Sequence, residues 1–141
     1  MRGFIGLTVG DAMTRQVTTV SPDATVAALE GLFERYDYNS FPVVRDDRLV
    51  GIVTKFDFLR NFIFTPDSIV PHYDALMQRR VSEIMRRQVT TVAPDTPLTR
   101  VLQMMVDLSS KSFPVVSDGK VIGIISREDV IRALRRAAGR E

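Results

Sequence analysis

The sequence predicts an α/β (α+β) fold made of two β-α-β-β-α repeats that pack together as a pseudo-two-fold pair. Residues 9–62 return as residues 81–134 at an offset of 72 without a gap, and 20 of the 54 positions are identical. The identities cluster in patches: Gln16–Val20 with Gln88–Val92, and Ser40–Val44 with Ser112–Val116. One such unit is too small to bury a good core alone, so the two copies should pack against each other. Clefts related by a two-fold axis come in pairs, so we expect function in two similar clefts.

Composition limits the classes of protein that the chain can represent. The 141 residues, 45% of them hydrophobic, are about one domain's length. With no cysteine and one histidine, His72, the chain offers no disulfide framework, and no metal site is expected. No apolar run approaches the roughly 20 residues that span a bilayer, and the N-terminus lacks a signal-peptide core. We therefore expect a cytoplasmic protein with no membrane contact.

The charge pattern gives little support to a nucleic-acid surface, because the net charge is only +2. Four arginines do cluster near the end of the chain, at Arg132, Arg135, Arg136 and Arg140. Cations are favourable at a helix C-terminus, so we prefer a solvated helix end over a binding patch as the explanation of this cluster.

Each repeat begins with a short helical stub that ends at Met13 or Met85. Valine and threonine then predict short strands at Val17–Val20 and Val89–Val92. A proline-containing turn leads into a helix whose apolar residues recur with the helical period. These stripes are Val26, Leu29, Leu32, Phe33 and Tyr36 in the first copy, and Leu98, Val101, Leu102, Met105 and Leu108 in the second.

A hairpin and a closing helix complete each repeat. Strands are predicted at Phe41–Arg45 and Leu49–Val53 around Asp46–Arg48, and at Pro114–Ser117 and Lys120–Ile125 around Asp118-Gly119, a strong two-residue turn signal. The closing helices are predicted at Lys55–Phe64 and Arg127–Ala138. The expected organisation is a first repeat at 8–64, a connector at 65–80 and a second repeat at 81–138.

The residues that carry chemistry lie at the start of each closing helix. Thr54 and Asp57 recur as Ser126 and Asp129, with a cation, Lys55 or Arg127, after the hydroxyl. A hydroxyl with an acid three residues later is typical of a helix cap. A nucleotide site is the alternative, because helix N–H groups and a cation attract phosphate while a carboxylate accepts from a ribose diol. The preceding glycines, Gly51 and Gly123, indicate that something approaches each strand closely.

The repeated β-α-β-β-α unit, the Phe-Pro-Val-Val strand and the Gly-x-x-Thr/Ser-x-x-Asp ending together resemble tandem cystathionine-β-synthase (CBS) domains, the Bateman module. The resemblance covers about residues 8–138. It implies two repeats packed sheet to sheet and adenosine ligands bound in the clefts between them: AMP, ADP or ATP, and less often S-adenosylmethionine.

The resemblance also implies a role for individual residues. Asp57 and Asp129 should hold the ribose hydroxyls, Thr54 and Ser126 the phosphate, and Lys55 and Arg127 should neutralise that phosphate. The adenine edge should meet main-chain groups of Ser40, Phe41 and Pro42 and of Ser112, Phe113 and Pro114, with Thr18, Thr19, Thr90 and Thr91 on the other wall. Thr25, a hydroxyl near the phosphate end, is replaced by Pro97 in the second copy, so the two sites should be unequal.

We therefore expect a regulatory sensor module that binds an adenine nucleotide, requires no cofactor, has no catalysis of its own and acts on an unknown regulated protein. An S-adenosylmethionine-binding protein, a nucleic-acid-binding protein and a purely structural dimerisation module remain alternatives. An enzyme finds little support, because the chain has no Cys nucleophile and no glycine-rich phosphate loop. A homodimer is expected because the closing helices carry more apolar residues than a solvated face needs, at Phe56, Leu59, Phe62 and Ile63, and at Val130, Ile131 and Leu134.

Overall fold

The computed structural model describes residues 2–63 and 72–139. It confirms a mixed helix and strand fold, in which the predicted hairpins and closing helices are present. The elements in chain order are α1 (Arg2–Ile5), α2 (Val9–Ala12), α3 (Val26–Arg35), β1 (Ser40–Arg45), β2 (Arg48–Thr54), α4 (Lys55–Arg60), α5 (Tyr73–Met77), a 3₁₀ turn (Val81–Glu83), α6 (Leu98–Leu108), β3 (Ser112–Ser117), β4 (Lys120–Ser126) and α7 (Arg127–Ala137). The first closing helix, predicted at Lys55–Phe64, ends at Arg60, where the chain tightens into i→i−3 bonds such as Asn61 N to Phe58 O. Phe64, the connector's Pro66 and Pro71, and Arg140 lie outside the described residues.

The chain divides into two compact units that do not coincide with the sequence repeats. The central unit is Thr18–Val89, and the terminal unit joins Met1–Val17 to Thr90–Glu141. The stub that precedes each repeat in the sequence therefore packs on the other repeat. In the central unit Val81 N donates to Ala24 O at 2.8 Å, and in the terminal unit Val9 N donates to Thr96 O at 2.8 Å.

Each unit contains one antiparallel hairpin with the same register. In the central unit Ser40 pairs with Thr54 and Arg45 with Arg48, and the terminal unit repeats this pattern 72 residues later. The first turn has two residues rather than the predicted three, because Arg48 already belongs to β2. Both of its residues, Asp46 and Asp47, have positive φ angles of 51° and 66°. Such a pair twists the chain in the sense that antiparallel strands require.

The strands predicted at Val17–Val20 and Val89–Val92 do not form, and single parallel bridges stand in their place. Val20 N donates to Pro42 O at 3.0 Å and Val44 N donates to Val20 O at 2.9 Å. The next bond of a parallel ladder would come from the nitrogen of Pro42, which carries no hydrogen. Val92 and Pro114 repeat this arrangement in the terminal unit. Proline therefore limits each pairing to one residue.

Each unit has its own apolar core, filled by one face of its long helix and the inner face of its hairpin. The central core contains Val26, Leu29, Phe41, Val43 and Val53, with Val81 and Ile84 from the second stub. The terminal core contains Leu98, Val101, Phe113, Val115 and Ile125, with Phe4 and Val9 from the first stub. Leu102 and Leu108, predicted on the buried stripe of α6, are 37% and 55% exposed.

Candidate functional site

Both Thr/Ser-x-x-Asp motifs form capping boxes at the start of the closing helices. Asp57 Oδ2 accepts hydrogen bonds from Thr54 N and Thr54 Oγ1, both at 2.9 Å, and Asp57 N donates to Thr54 Oγ1 at 3.0 Å. Asp129 Oδ2 accepts from Ser126 N at 3.0 Å, and Asp129 N donates to Ser126 Oγ at 3.2 Å. The hydroxyl and carboxylate that the sequence assigned to a ligand therefore also stabilise the helix start.

The two carboxylates are deeply buried. Asp57 is 1% exposed and Asp129 is 3% exposed, and they are the buried charged residues of the described chain. A carboxylate removed from water needs hydrogen-bond and charge partners, because burial alone is costly. A helix cap on a surface needs no such burial, as the exposed Asp11 shows by capping α2. Burial thus distinguishes Asp57 and Asp129 from an ordinary cap.

In the central unit the carboxylate partners are arginines. Arg86 Nε donates to Asp57 Oδ1 at 2.9 Å, and Arg60 Nη2 lies 3.4 Å from the same oxygen. Arg60 follows Asp57 by one helical turn, whereas Arg86 comes from the stub that packs on this unit. Both arginine side chains are about half exposed, at 49% for Arg86 and 51% for Arg60. The guanidinium groups therefore cover the carboxylate from the solvent side.

In the terminal unit one of these cations is replaced by a hydroxyl. Arg132 Nη1 donates to Asp129 Oδ1 at 2.9 Å, as the equivalent of Arg60. Thr14, the equivalent of Arg86, donates from Oγ1 to Asp129 Oδ1 at 3.1 Å, with Oδ2 at 3.3 Å. The two sites thus share a carboxylate and a capping hydroxyl but differ in charge.

The glycines before each motif are approached by the protein's own chain. A β-carbon at Gly51 would lie 2.7 Å from Arg86 O, and one at Gly123 would lie 2.8 Å from Thr14 O. Two backbone hydrogen bonds hold the stub there in each unit, between Ile52 and Arg86 and between Ile124 and Thr14. The close approach inferred from the sequence is therefore real, and the approaching group is a stub backbone. These stubs bring Arg86 and Thr14 to the carboxylates.

The predicted phosphate cations lie on the surface. Lys55 and Arg127 are both exposed at the first position of their helices. Arg127 Nε donates to Ser110 O at 3.1 Å, which fixes this side chain beside the chain entering β3.

The predicted adenine-contacting strands present backbone rather than side chains. The rings of Phe41 and Phe113 are fully buried in their cores, and the carbonyls of Pro42 and Pro114 accept from Val20 and Val92. Ser40 and Ser112 are half-buried at the strand starts. Of the threonines, Thr18 is half-buried while Thr19, Thr90 and Thr91 are exposed.

Thr25 caps a helix in the central unit. Its Oγ1 accepts from Ala28 N at 3.1 Å and caps α3, and Pro97 at the start of α6 makes no side-chain cap. The difference between these two positions is thus a difference in helix capping.

A cavity of about 520 Å³ lies beside the buried carboxylate of the terminal unit. Its wall combines α1, α2 and α7, and the polar residues that line it include Asp11, Thr14, Asp129, Arg132 and Arg136. In the central unit the equivalents of Leu7 and Ala133 are Arg79 and Asn61, which are joined by a 2.7 Å hydrogen bond. The two units thus differ at these positions, with an apolar pair in the terminal unit and a hydrogen-bonded polar pair in the central unit.

Sequence reasoning did not identify Arg60, Arg86, Thr14 or Arg132 as site residues. The pairs Asp57–Arg60 and Asp129–Arg132 have the three-residue spacing of neighbours on a helix, so that spacing was an available signal. Arg86 and Thr14 lie 29 and 115 residues from their partners, and the sequence contains no local sign of these contacts.

The fold and the paired motifs define a module of two similar repeats, and comparison with known proteins gives its family. The CBS domain family model matches residues 9–63 and 81–136. The chain therefore belongs to the CBS domain family, as a tandem pair. In the described residues no helix combines the length and apolar character that crossing a membrane requires.

Solved CBS-pair structures are similar over nearly the whole chain. The structure of CBSX2 in complex with AMP is 30% identical with a TM-score of 0.78, and the match covers 94% of this chain and 99% of that one. The CBS domain pair of protein MJ0100, in complex with 5-methylthioadenosine and S-adenosyl-L-methionine, is 25% identical with a TM-score of 0.72, covering 96% and 98%. Both neighbours thus bind adenosine derivatives.

A curated relative is longer than this chain. An uncharacterized Methanocaldococcus jannaschii protein, MJ1232, is 30% identical over 127 residues. The match covers 89% of this chain and 39% of MJ1232, so this chain spans about two fifths of the length of that relative.

Proposed function

We propose that this chain is a regulatory module that binds an adenine nucleotide, with AMP as the first candidate and ADP and ATP as alternatives. The observation that carries the proposal is the pair of buried carboxylates, Asp57 and Asp129, each behind a helix-capping hydroxyl at the same place in its repeat. A carboxylate accepts from both hydroxyls of a ribose diol. The similarity to an AMP-bound CBS pair supports the same ligand class.

The remaining contacts of the proposed site are with the phosphate and the adenine of the nucleotide. Thr54 and Ser126 would face the phosphate, and the exposed cations Lys55 and Arg127 would neutralise it. Main-chain groups of β1 and β3 would meet the adenine. The proposal assigns no catalysis to the chain; its output is a ligand-dependent effect on a regulated protein.

A homodimer is part of this proposal. The closing helices and the segment after α4 leave large apolar side chains on the surface: Phe56, Leu59 and Ile63 are 59%, 64% and 65% exposed, and Ile131 is 53% exposed. Apolar patches of this kind mark association surfaces, and a self-complementary patch closes with a two-fold axis.

A thermal-shift screen tests the ligand. The purified chain is heated with millimolar AMP, ADP, ATP, GMP or S-adenosylmethionine, and with no addition. A ligand present at 100 times its dissociation constant adds about 2.7 kcal/mol to the free energy of unfolding, which gives a clear rise in Tm. The proposal expects this rise with an adenine nucleotide. An unchanged Tm with every adenine compound contradicts it.

Three alternatives have outcomes of their own. A rise in Tm with S-adenosylmethionine alone would indicate the ligand class that the MJ0100 pair binds. A nucleic-acid ligand would instead reveal itself by binding that weakens steeply with salt, since phosphate contacts release counterions. A structural dimerisation module would show a dimer and no ligand-dependent shift.

A further inference from the structure

Positions 14 and 86 are equivalent in the repeat, yet they contact the two carboxylates with different chemistry. Arg86 presents a guanidinium to Asp57 at 2.9 Å, and Thr14 presents a hydroxyl to Asp129 at 3.1 Å. The backbone around both residues is the same, because each forms a two-bond bridge to the strand beside it, at Ile52 or Ile124. At these two positions the backbone is therefore the same and the side chains differ.

The Asp57 carboxylate has both oxygens engaged by strong donors. Oδ2 accepts the two bonds from Thr54, while Oδ1 faces Arg86 and Arg60. A guanidinium has five donors and no acceptor, so it cannot accept the hydrogen that a ribose hydroxyl donates. It competes with that hydroxyl for the Asp57 carboxylate. A ribose diol reaches Oδ1 only when the Arg86 guanidinium gives up that oxygen.

The Asp129 carboxylate pairs with one guanidinium instead of two, because Arg132 Nη1 donates to Oδ1 at 2.9 Å and Thr14 takes the place of Arg86. Thr14 shares one hydrogen between Oδ1 and Oδ2, at 3.1 and 3.3 Å, which makes this a long and divided bond. A hydroxyl is both donor and acceptor, so Thr14 can turn and accept from an incoming hydroxyl instead of leaving. The Thr14 donor is also uncharged, so its bond to the carboxylate lacks the ion-pair attraction that the Arg86 guanidinium adds at Asp57.

The geometry points to residue 86, and its equivalent residue 14, as the determinant of which site binds the nucleoside. Arg86 adds a second guanidinium to the acceptor of the Asp57 site, whereas the acceptor of the Asp129 site has Arg132 alone and a hydroxyl that can turn away, so adenosine ligands fill the Asp129 site first. This inference rests on the proposed function, since it concerns the same two sites. The difference in bond strength corresponds to about a tenfold difference in dissociation constant.

Exchange of the two residues tests the inference directly. Each site is measured alone by titration calorimetry, the Asp57 site in an Asp129→Ala background and the Asp129 site in an Asp57→Ala background. Adenosine is the main probe, because it carries the diol without a phosphate that arginine would attract, and AMP is the second probe. Arg86→Thr should tighten adenosine binding at the Asp57 site about tenfold, and Thr14→Arg should weaken it at the Asp129 site by a similar factor.

Controls separate this effect from a loss of folding or of general charge. Arg86→Met keeps a long side chain and removes the guanidinium, so it should also tighten adenosine binding. It replaces Arg86→Thr in the test if that variant is unstable. Arg87→Thr removes an exposed neighbouring cation and should leave adenosine affinity unchanged. Thermal unfolding of each variant shows that the comparison is made between folded proteins.

The possible outcomes are distinct. Tighter binding after Arg86→Thr or Arg86→Met, together with weaker binding after Thr14→Arg, supports the inference. Binding of equal strength at both sites, or affinities that the exchange leaves unchanged, overturns it while the proposed function stands. Failure of adenosine, AMP, ADP and ATP to bind the wild-type chain at all overturns the proposed function itself.

Discussion

Gly51 lies directly against Met85: a β-carbon on this glycine would stand 2.8 Å from the Met85 sulfur. The same relationship joins Gly123 to Met13, at 2.9 Å. Each methionine ends a stub, and each glycine lies in the strand that leads to a buried aspartate. Close packing of stub on strand is therefore what brings residues 86 and 14 to their carboxylates.

Alanine at either glycine should separate the stub from the strand. We expect Gly51→Ala and Gly123→Ala each to lower the free energy of unfolding by about 1–3 kcal/mol, the usual cost of overpacking. The added carbon would meet a backbone carbonyl as well as the flexible methionine, and a carbonyl cannot move alone. Chemical denaturation measures the loss.

A third glycine provides the matched control. Gly31 lies in α3 with nothing within 4 Å of its would-be β-carbon. Gly31→Ala should therefore raise the free energy of unfolding by about 0.5–1 kcal/mol, because alanine favours the helix. A stability loss at Gly31 equal to that at Gly51 would contradict the packing argument.

Removal of the buried carboxylates should affect both stability and ligand binding. Asp57→Ala and Asp129→Ala each remove a helix cap, which costs about 1 kcal/mol, and each leaves arginine without its partner. If these groups also hold the ribose, AMP affinity falls as well. Calorimetric titration and thermal unfolding of the same samples separate the two effects.

Asp11→Ala is the control for cap loss alone. Asp11 accepts from Thr8 N at 2.9 Å in a capping box of the same form, but it is exposed. This variant should lose about 1 kcal/mol. Because Asp11 also lines the cavity beside Asp129, AMP binding is compared at the Asp57 site, where it should match the wild type. Normal AMP binding by all three variants would leave Asp57 and Asp129 with a capping role only.

Thr25→Ala tests whether this threonine serves the helix or a ligand. Its hydroxyl caps α3, so we expect a loss of about 1 kcal/mol in the free energy of unfolding. Equal nucleotide affinity in the variant and the wild type is the expected result in titration. A large loss of affinity without a loss of stability would support the role near the phosphate that the sequence indicated.

Charge on the exposed helix faces should dissociate the proposed dimer. Leu59 and Ile131 are equivalent in the repeat and are 64% and 53% exposed. The double variant Leu59→Glu, Ile131→Glu should have a monomer's mass in light scattering and an almost unchanged fold by circular dichroism, because neither side chain fills a core. Arg135→Glu, an exposed change on α7, is the control. A wild-type mass near the 15.9 kDa of one chain would contradict the dimer.

The elements with local signals were predictable from the sequence. The hairpin at Asp118-Gly119 forms where the turn signal stands, with φ angles of 53° and 79°. The closing helix predicted at Arg127–Ala138 is observed at Arg127–Ala137. Turn chemistry, helical periodicity and capping all act within a few residues, so a single sequence contains them.

The unpredicted features depend on distant partners. Val17–Val20 has strand-forming residues, but a strand there also requires a backbone N–H donor on the neighbouring strand β1. Pro42 of β1 has no N–H. The capping boxes were visible in the motif, whereas the contacts of Arg86 and Thr14 depend on which strand each stub meets. Gly51 was the available sequence signal of this contact, because a glycine indicates that another group approaches the strand closely. It does not tell whether that group is a ligand or a backbone.

The division of the chain into a continuous unit and a split unit has a consequence for biosynthesis. Gly10 and Thr14 form their backbone hydrogen bonds with Pro94 and Ile124, so their partners are translated about 80–110 residues later. At the usual elongation rate of roughly 5–20 residues per second, the nascent first segment waits about 5–20 s with Phe4 and Val9 unburied. The continuous segment 18–89 can meanwhile fold as soon as it clears the ribosome, so the order of assembly is set by the connectivity of the chain.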